Sequence, residues 1–160
     1  MNGARVALVT GAAGGVGSAI CRRFLAAGIK VLATDSSGDL PEGVALPVDL
    51  RELVENPDCL DAFVSEVARV ADGQLDVLIN NAATQCLGAI EELTAAEFIE
   101  SQVVNVAAPY ALTRAFAPML EAARGSVVNI TSIHASATKP GFAAYATSKA
   151  ALEGLTRSLA

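Results

Sequence analysis

The stretch that most restricts the fold is an apolar run, Val6-Ala-Leu-Val-Thr10, that passes directly into Gly11-Ala-Ala-Gly14-Gly15-Val-Gly17. Residues 18–27 follow, with Ile20, Phe24 and Leu25 at helical spacing. A buried-type strand, a glycine turn and a helix in unbroken succession open a parallel βαβ fold. Glycine lets the backbone turn tightly and lets a ligand approach it, and the helix start offers unpaired N–H groups and a positive dipole end. Two readings stand for four glycines in seven positions: a cradle for a pyrophosphate, or a tight βα turn that binds nothing. No Gly-Lys-Ser/Thr follows the turn, so a P-loop does not fit, which argues against ATP chemistry.

Four further strands are legible. Lys30-Val-Leu-Ala-Thr-Asp35 follows a helix closed by Gly28, and Val44-Ala-Leu-Pro-Val-Asp49 is a short third strand whose Pro47 suits a sheet edge. Leu75-Asp-Val-Leu-Ile-Asn80 is the fourth, and Gly125-Ser-Val-Val-Asn-Ile-Thr-Ser132 the fifth. Between them, Asn56-Pro57 starts a helix, with Asn as cap and Pro at the first helical position, whose Leu60, Phe63, Val64, Val67 and Val70 are core. Thr94-Ala-Ala-Glu97 is a capping box opening a long helical stretch to about residue 123, with bends or irregular turns expected at Pro109 and Pro118. Hydrophobic residues make up 52% but aromatics only 4%, and mean hydropathy is +0.45. That balance suits a buried parallel sheet under Ala-rich helices. The expected fold over residues 1–160 is a single α/β domain: a Rossmann-type doubly wound parallel sheet, five strands in the order 3-2-1-4-5, helices on both faces.

The totals also remove function classes. Net charge is −6 with no Lys/Arg cluster, which argues against a nucleic-acid surface. No apolar run reaches membrane-span length, and the N-terminus carries no basic region followed by a cleavage site. Cys21, Cys59 and Cys86 are scattered, odd in number and without metal spacing, and read as reduced thiols of a cytoplasmic protein. His134 is the only histidine, so a multi-histidine metal site is excluded and no metal is expected.

Several polar residues fall where chemistry is possible. Asp35 ends the second strand, where a dinucleotide fold places an acid for the adenosine ribose; the alternative is an ordinary strand-end cap. Its neighbours Ser36 and Ser37 bring no arginine for a 2′-phosphate, which favours NAD over NADP. Asn80-Asn81 at the end of the fourth strand, followed by small residues, suits a place where backbone meets ligand, or a plain Asn-rich turn. Asn105 is polar among Val103, Val104, Val106 and Ala107, and is either a structural bridge or part of a proton relay. Tyr145 and Lys149 stand four apart, so on a helix they share a face. A free tyrosine, with pKa near ~10, is a poor base at neutral pH, and an adjacent cation favours its phenolate. Glycine turn, Asp35, Asn81, Ser132 and the Tyr145 segment all fall at the carboxyl edge of the sheet, where open α/β sheets bind ligands.

With these motifs in order, the chain resembles the short-chain dehydrogenase/reductase family over essentially all its length. Thr10-Gly11-x-x-x-Gly15-x-Gly17 matches the family's cofactor turn, and Asn80-Asn81-Ala82-Ala83 resembles its Asn-Asn-Ala-Gly motif, with alanine in the last place. The resemblance implies an NAD(P)-dependent oxidoreductase acting on a small alcohol/carbonyl pair. It implies cofactor contacts from Thr10, Gly11, Gly15, Val16, Gly17 and Asp35, from Asp49 and Leu50 at the adenine, from Asn81, Ala82 and Ala83, and from Tyr145 and Lys149. It places Asn105, Ser132, Tyr145 and Lys149 on the catalytic tetrad. Tyr145 would be the general acid/base, Lys149 would hold the nicotinamide ribose and favour the phenolate, and Ser132 would bond the substrate oxygen. Asn105 would hold a water between Lys149 and solvent. His134 lines the substrate side or is a solvated loop residue.

Family members continue beyond the helix in which this sequence stops at Ala160, so a C-terminally truncated chain is expected, with Val127-Val-Asn-Ile130 left as an apolar edge. Three readings follow: an oxidoreductase, a nucleotide-binding remnant without turnover, or an interaction module. For the last, the family's dimer contacts fall on residues 105–122 and after Tyr145, where Leu152, Leu155 and Leu159 form an apolar stripe, and a homo-oligomer (dimer or tetramer) is implied.

Overall fold

The computed structural model describes residues 4–36, 40 and 43–160. Its strands are β1 (Val6–Thr10), β2 (Lys30–Thr34), β3 (Val44–Ala45), β4 (Val77–Asn80) and β5 (Ser126–Asn129). All pair in parallel, in the order β3-β2-β1-β4-β5. The expected order and sheet type are therefore those observed. The chain starts at the sheet centre, steps outward to β3, then crosses back to β4 and β5. The reversal opens a crevice at the carboxyl ends of β1 and β4.

Side chains of β1 alternate between two cores, as the period of a strand requires. Val6 and Leu8 point to the larger core, with Leu32, Leu78, Phe63, Val67, Leu112 and Phe116. This face is covered by α2 (Leu50–Glu55), α3 (Pro57–Val70) and α5 (Ala108–Ala123). Phe63 meets Phe116 edge-on at 6.3 Å and ties α3 to α5. Val9 joins Val31, Ala33, Ile79 and Cys21 of α1 (Gly15–Ala26) on the other face. Each fully buried aliphatic side chain contributes roughly 1.5–3 kcal/mol relative to exposure. Among the described residues no helix is long and apolar enough to cross a membrane.

The local helix signals act as read. Asn56 caps α3 by accepting from Asp58 N–H at 3.1 Å, with Pro57 at the first position. Thr94 and Glu97 close a reciprocal capping box on α4 (Ala95–Gln102).

Two boundaries differ from expectation. The third strand stops at Ala45, because Pro47 has no N–H for a ladder and Asp49 turns away to cap α2, its Oδ1 accepting from Arg51 N–H at 2.9 Å. The fifth strand stops at Asn129, opposite Asn80, where its partner β4 also ends. Ser132 therefore lies beyond the strand rather than on it. The long helix carries the irregular turn expected at Pro109, as a π turn, Val103–Ala107, between α4 and α5. Pro109 offers no N–H to the carbonyl four residues back, at Asn105, and its ring crowds that carbonyl, so the turn before it widens. Pro118 lies inside α5, which continues past it. β5 forms one edge of the sheet, with Val128 42% exposed.

Candidate active site

Backbone contact explains two of the glycines in the β1–α1 turn. Gly11 has φ +63°, and a Cβ there would lie 2.6 Å from Ala82 Cα. A Cβ on Gly17 would lie 2.1 Å from Gly11 O, so α1 can sit on the turn only with glycine at this position. Gly15 differs, since a Cβ there meets nothing within 4 Å and its backbone faces open space. The helix is capped by Gly14, which has no side chain to fill the first-turn amides, and that turn holds no acid. Those N–H groups and the positive helix end suit a phosphate.

Thr10 and Asn81 lock this turn to the end of β4. Thr10 Oγ1 donates to Ile79 O at 3.3 Å and accepts from Asn81 N–H and Ala82 N–H, both at 3.0 Å. Asn81 Nδ2 donates to the carbonyls of Thr10 and Gly11, each at 3.0 Å. Asn81 is thus a clamp between two backbone segments as well as a wall of the cleft above them.

That cleft has a volume of about 810 Å³, ample for a nucleotide. Gly11, Gly15 and Val16 form its floor; Asp35, Asp49 and Leu50 line one end, and Asn81, Ala82 and Ala83 the β4 side. Thr10 is buried beneath it and Gly17 is packed on the Gly11 carbonyl. Tyr145 and Lys149 are not among the residues lining it. Asp35 Oδ2 accepts from Ala13 N–H at 3.1 Å, which ties the end of β2 to the glycine turn. Ser36 also lines the cleft, whereas Ser37 lies outside the described residues. Among the lining residues none is a lysine or arginine, so a bound diphosphate would be held by backbone amides. Uncapped amides, an open glycine floor and a strand-end acid form a donor and acceptor set that fits a nicotinamide dinucleotide.

Helix α6 (Ala143–Leu159) carries the acid/base candidates one turn apart. Tyr145 is 8% exposed and Lys149 2%. Lys149 Nζ donates to Ile130 O at 2.8 Å and lies 5.7 Å from the Tyr145 ring centroid. Burial without a carboxylate partner among the described residues pushes the ammonium down to about 8. Ser132 Oγ accepts from His134 N–H at 3.2 Å and caps the 3₁₀ turn Ile133–Ala135. The His134 ring stacks on Phe142 at 4.2 Å, and both rings meet Tyr145 edge-on, at 6.3 and 6.4 Å. His134 is thus packed beside the phenol, not a solvated loop residue, and its buried Nδ1 has no hydrogen-bond partner among the described residues.

Asn105 sits in the π turn, fully buried. Its Oδ1 accepts from Thr84 N–H at 2.8 Å, and Nδ2 donates to Thr84 O at 2.9 Å and to Ser148 Oγ at 2.9 Å. Ser148, in turn, donates to Tyr145 O at 2.7 Å. Thr84 lines the cleft, so this chain of bonds runs from the cleft wall to α6. The sequence motifs do not mark Ser148, Thr84 or Glu100 as parts of the site, and they present Val104 only as an apolar neighbour of Asn105. Their signals were faint: a serine one turn from Tyr145, a threonine directly after Ala83, and an i,i+4 pair leading to Asn105.

A parallel sheet with a glycine turn and a cleft across its reversal defines a Rossmann-type α/β fold. The sequence matches the short chain dehydrogenase family over residues 5–160, and the chain belongs to that family. It is similar to the L-xylo-3-hexulose reductase of Hypocrea jecorina, 38% identical, across 98% of this chain and 61% of that protein. Among solved structures it is similar to the ligand-free aldohexose dehydrogenase of Thermoplasma acidophilum (TM-score 0.89, 33% identity, 98% of this chain and 60% of that one). It is also similar to a Brucella ovis oxidoreductase of the short-chain dehydrogenase/reductase family, in complex with a partially ordered NAD (TM-score 0.84, 33% identity, 99% of this chain and 77% of that one). The chain thus spans about 61% of the length of the curated reductase it matches.

Proposed function

We propose that these residues form the nucleotide-binding and acid/base part of an NAD(P)-dependent oxidoreductase that interconverts an alcohol and a carbonyl. The observation that carries this reading is the cleft over uncapped α1 amides, joined through Thr84, Asn105 and Ser148 to the helix bearing Tyr145 and Lys149. Thr10, Gly11, Gly15, Val16 and Gly17 shape the phosphate end, Asp49 and Leu50 the base end, and Asn81, Ala82 and Ala83 the wall between.

The bound nicotinamide supplies or accepts the hydride. On reduction the Tyr145 hydroxyl gives its proton to the carbonyl oxygen, and on oxidation its phenolate takes the hydroxyl proton. The Lys149 ammonium, buried beside the ring, favours the phenolate and would hold the nicotinamide ribose of a bound cofactor. Ser132 orients the substrate oxygen by a hydrogen bond. Asn105 Oδ1 keeps one acceptor position beyond Thr84, enough to hold a water that links Lys149 to solvent.

NAD is the favoured cofactor. Asp35 accepts from ribose hydroxyls and repels a 2′-phosphate, and among the described residues no lysine or arginine lines the cleft to offset it. An apolar groove of about 420 Å³ lined by Phe98, Ile99, Val106, Tyr110 and Leu155, with Ile99 55% and Tyr110 50% exposed, supports a homo-oligomer, dimer or tetramer. Three free cysteines support a cytoplasmic setting. Turnover of a panel of ketones and secondary alcohols with NADH or NAD tests the catalytic reading. Tyr145→Phe removes the proton donor, and a variant as fast as the parent would end the assignment.

A further inference from the structure

The nucleotide cleft poses an electrostatic problem. Among the described residues three carboxylates line it, Asp35, Asp49 and Glu100, and no lysine or arginine does. The cofactor argued for above brings a diphosphate. The Asp35 carboxylate accepts from the Ala13 N–H at 3.1 Å and that of Asp49 from the Arg51 N–H at 2.9 Å. Glu100 is different. It lies on α4 with Oε2 buried, and the Arg51 guanidinium, from the first turn of α2, forms an ion pair with that oxygen through Nη1. Arg51 Nε also reaches Glu55 Oε1 at 2.8 Å, so one guanidinium is held between two carboxylates.

This pair is unlike the others. Among the described residues the remaining ion pairs, Arg51–Glu55, Arg69–Glu66 and Arg157–Glu153, each lie within one helix. Arg51–Glu100 alone joins two elements, and both present residues to the cleft: Leu50 directly before Arg51, and Glu100 itself with Val104 one turn on. The Glu100 side chain is 26% exposed. Without the cation it would be a partly desolvated anion facing a space meant for another anion, where screening by water is weak.

We propose that Arg51 is a positioning residue of the nucleotide cleft, bridging α2 to α4 and cancelling the charge of Glu100 so that the cleft accepts a diphosphate. The proposal rests on the nucleotide reading of the site. It assigns Arg51 no contact with the nucleotide. The effect passes through Glu100.

The test is a double-mutant cycle read by NADH fluorescence titration, with thermal melts of each variant. Arg51→Gln is expected to weaken NADH binding about three- to tenfold at low salt, with the defect shrinking near about 0.5 M salt. Glu100→Gln is expected to bind at least as tightly as the parent. The double variant is expected to stay within about twofold of Glu100→Gln, because Arg51 has nothing left to cancel. A double variant as weak as Arg51→Gln would overturn the proposal in favour of direct contact. An Arg51→Gln variant that melts lower but binds NADH like the parent would reduce the pair to helix packing. Should Arg51→Gln fail to fold, Glu100→Gln decides alone, since weaker binding there contradicts charge cancellation. Absence of NADH binding by the parent would sink the nucleotide reading itself, and this proposal with it.

Discussion

Asn105 Nδ2 donates to Ser148 Oγ at 2.9 Å, and both residues are fully buried. Through this bond the π turn Val103–Ala107 grips α6 on one side while holding both backbone groups of Thr84, in the cleft wall, on the other. The widened turn brings the Asn105 amide inward among apolar neighbours, where an unmade hydrogen bond is costly because the amide is fully buried.

Ser148→Ala should therefore destabilise the fold by about 1–3 kcal/mol, since it leaves an Asn105 N–H buried with only the long 3.5 Å contact to Ser101 Oγ. Asn105→Ala should cost more, because Thr84 loses its partners as well. Urea denaturation of the two variants checks this. A Ser148→Ala curve that overlays the parent would mean that another group satisfies Asn105.

The two glycines of the first helical turn should respond in opposite ways to a methyl group. Gly17→Ala forces a Cβ onto the Gly11 carbonyl, a backbone atom that cannot yield, and should cost more than about 2 kcal/mol or prevent folding. Gly15→Ala meets no protein atom and should fold like the parent, with any defect confined to NADH binding. Circular dichroism melts separate the two outcomes. Equal melting temperatures for both variants would contradict the packing described.

Lys149 gives stability a pH dependence of defined sign. Its folded-state pKa is about 8, below the ordinary 10.5, so the unfolded chain binds the proton more tightly. Stability should then rise as pH climbs through the window between those values, with the full penalty of burying the ammonium present below about 8. The relief is on the order of 3 kcal/mol. Lys149→Met lacks the titrating group and should lack that climb. Urea unfolding of both proteins at neutral and alkaline pH measures the difference, and parallel pH profiles would contradict the burial of an unpaired ammonium.

Asp35 should set the choice of dinucleotide. Asp35→Ser removes the acceptor for the ribose hydroxyls and the charge that opposes a 2′-phosphate, so the ratio of NADPH to NADH dissociation constants should fall by about tenfold. Paired fluorescence titrations measure that ratio, and an unchanged ratio would place the discrimination elsewhere in the cleft.

What could be read from the sequence was local. The glycine turn, the Asn56-Pro57 start and the Thr94–Glu97 box each act within a few residues, and each appears where expected. The apolar runs marked the five strands, and strand order followed from the doubly wound pattern. Strand ends were harder, because an end depends on the partner. Ile130 and Thr131 continue the composition of β5, but β4 stops at Asn80. Helix α2 escaped notice because it is short and its cap, Asp49, doubles as the end of an apolar run. The bonds of Asn105 to Thr84 and Ser148, and of Arg51 to Glu100, join residues far apart in the chain and leave no periodic trace.

Titration of the chain with NADH, followed by nicotinamide fluorescence and displacement with ADP-ribose, tests the central claim most directly. The expected result is a saturable change at one site per chain, reversed by ADP-ribose. No fluorescence change up to about 1 mM NADH would contradict the assignment of the cleft between β1 and β4 as a dinucleotide site.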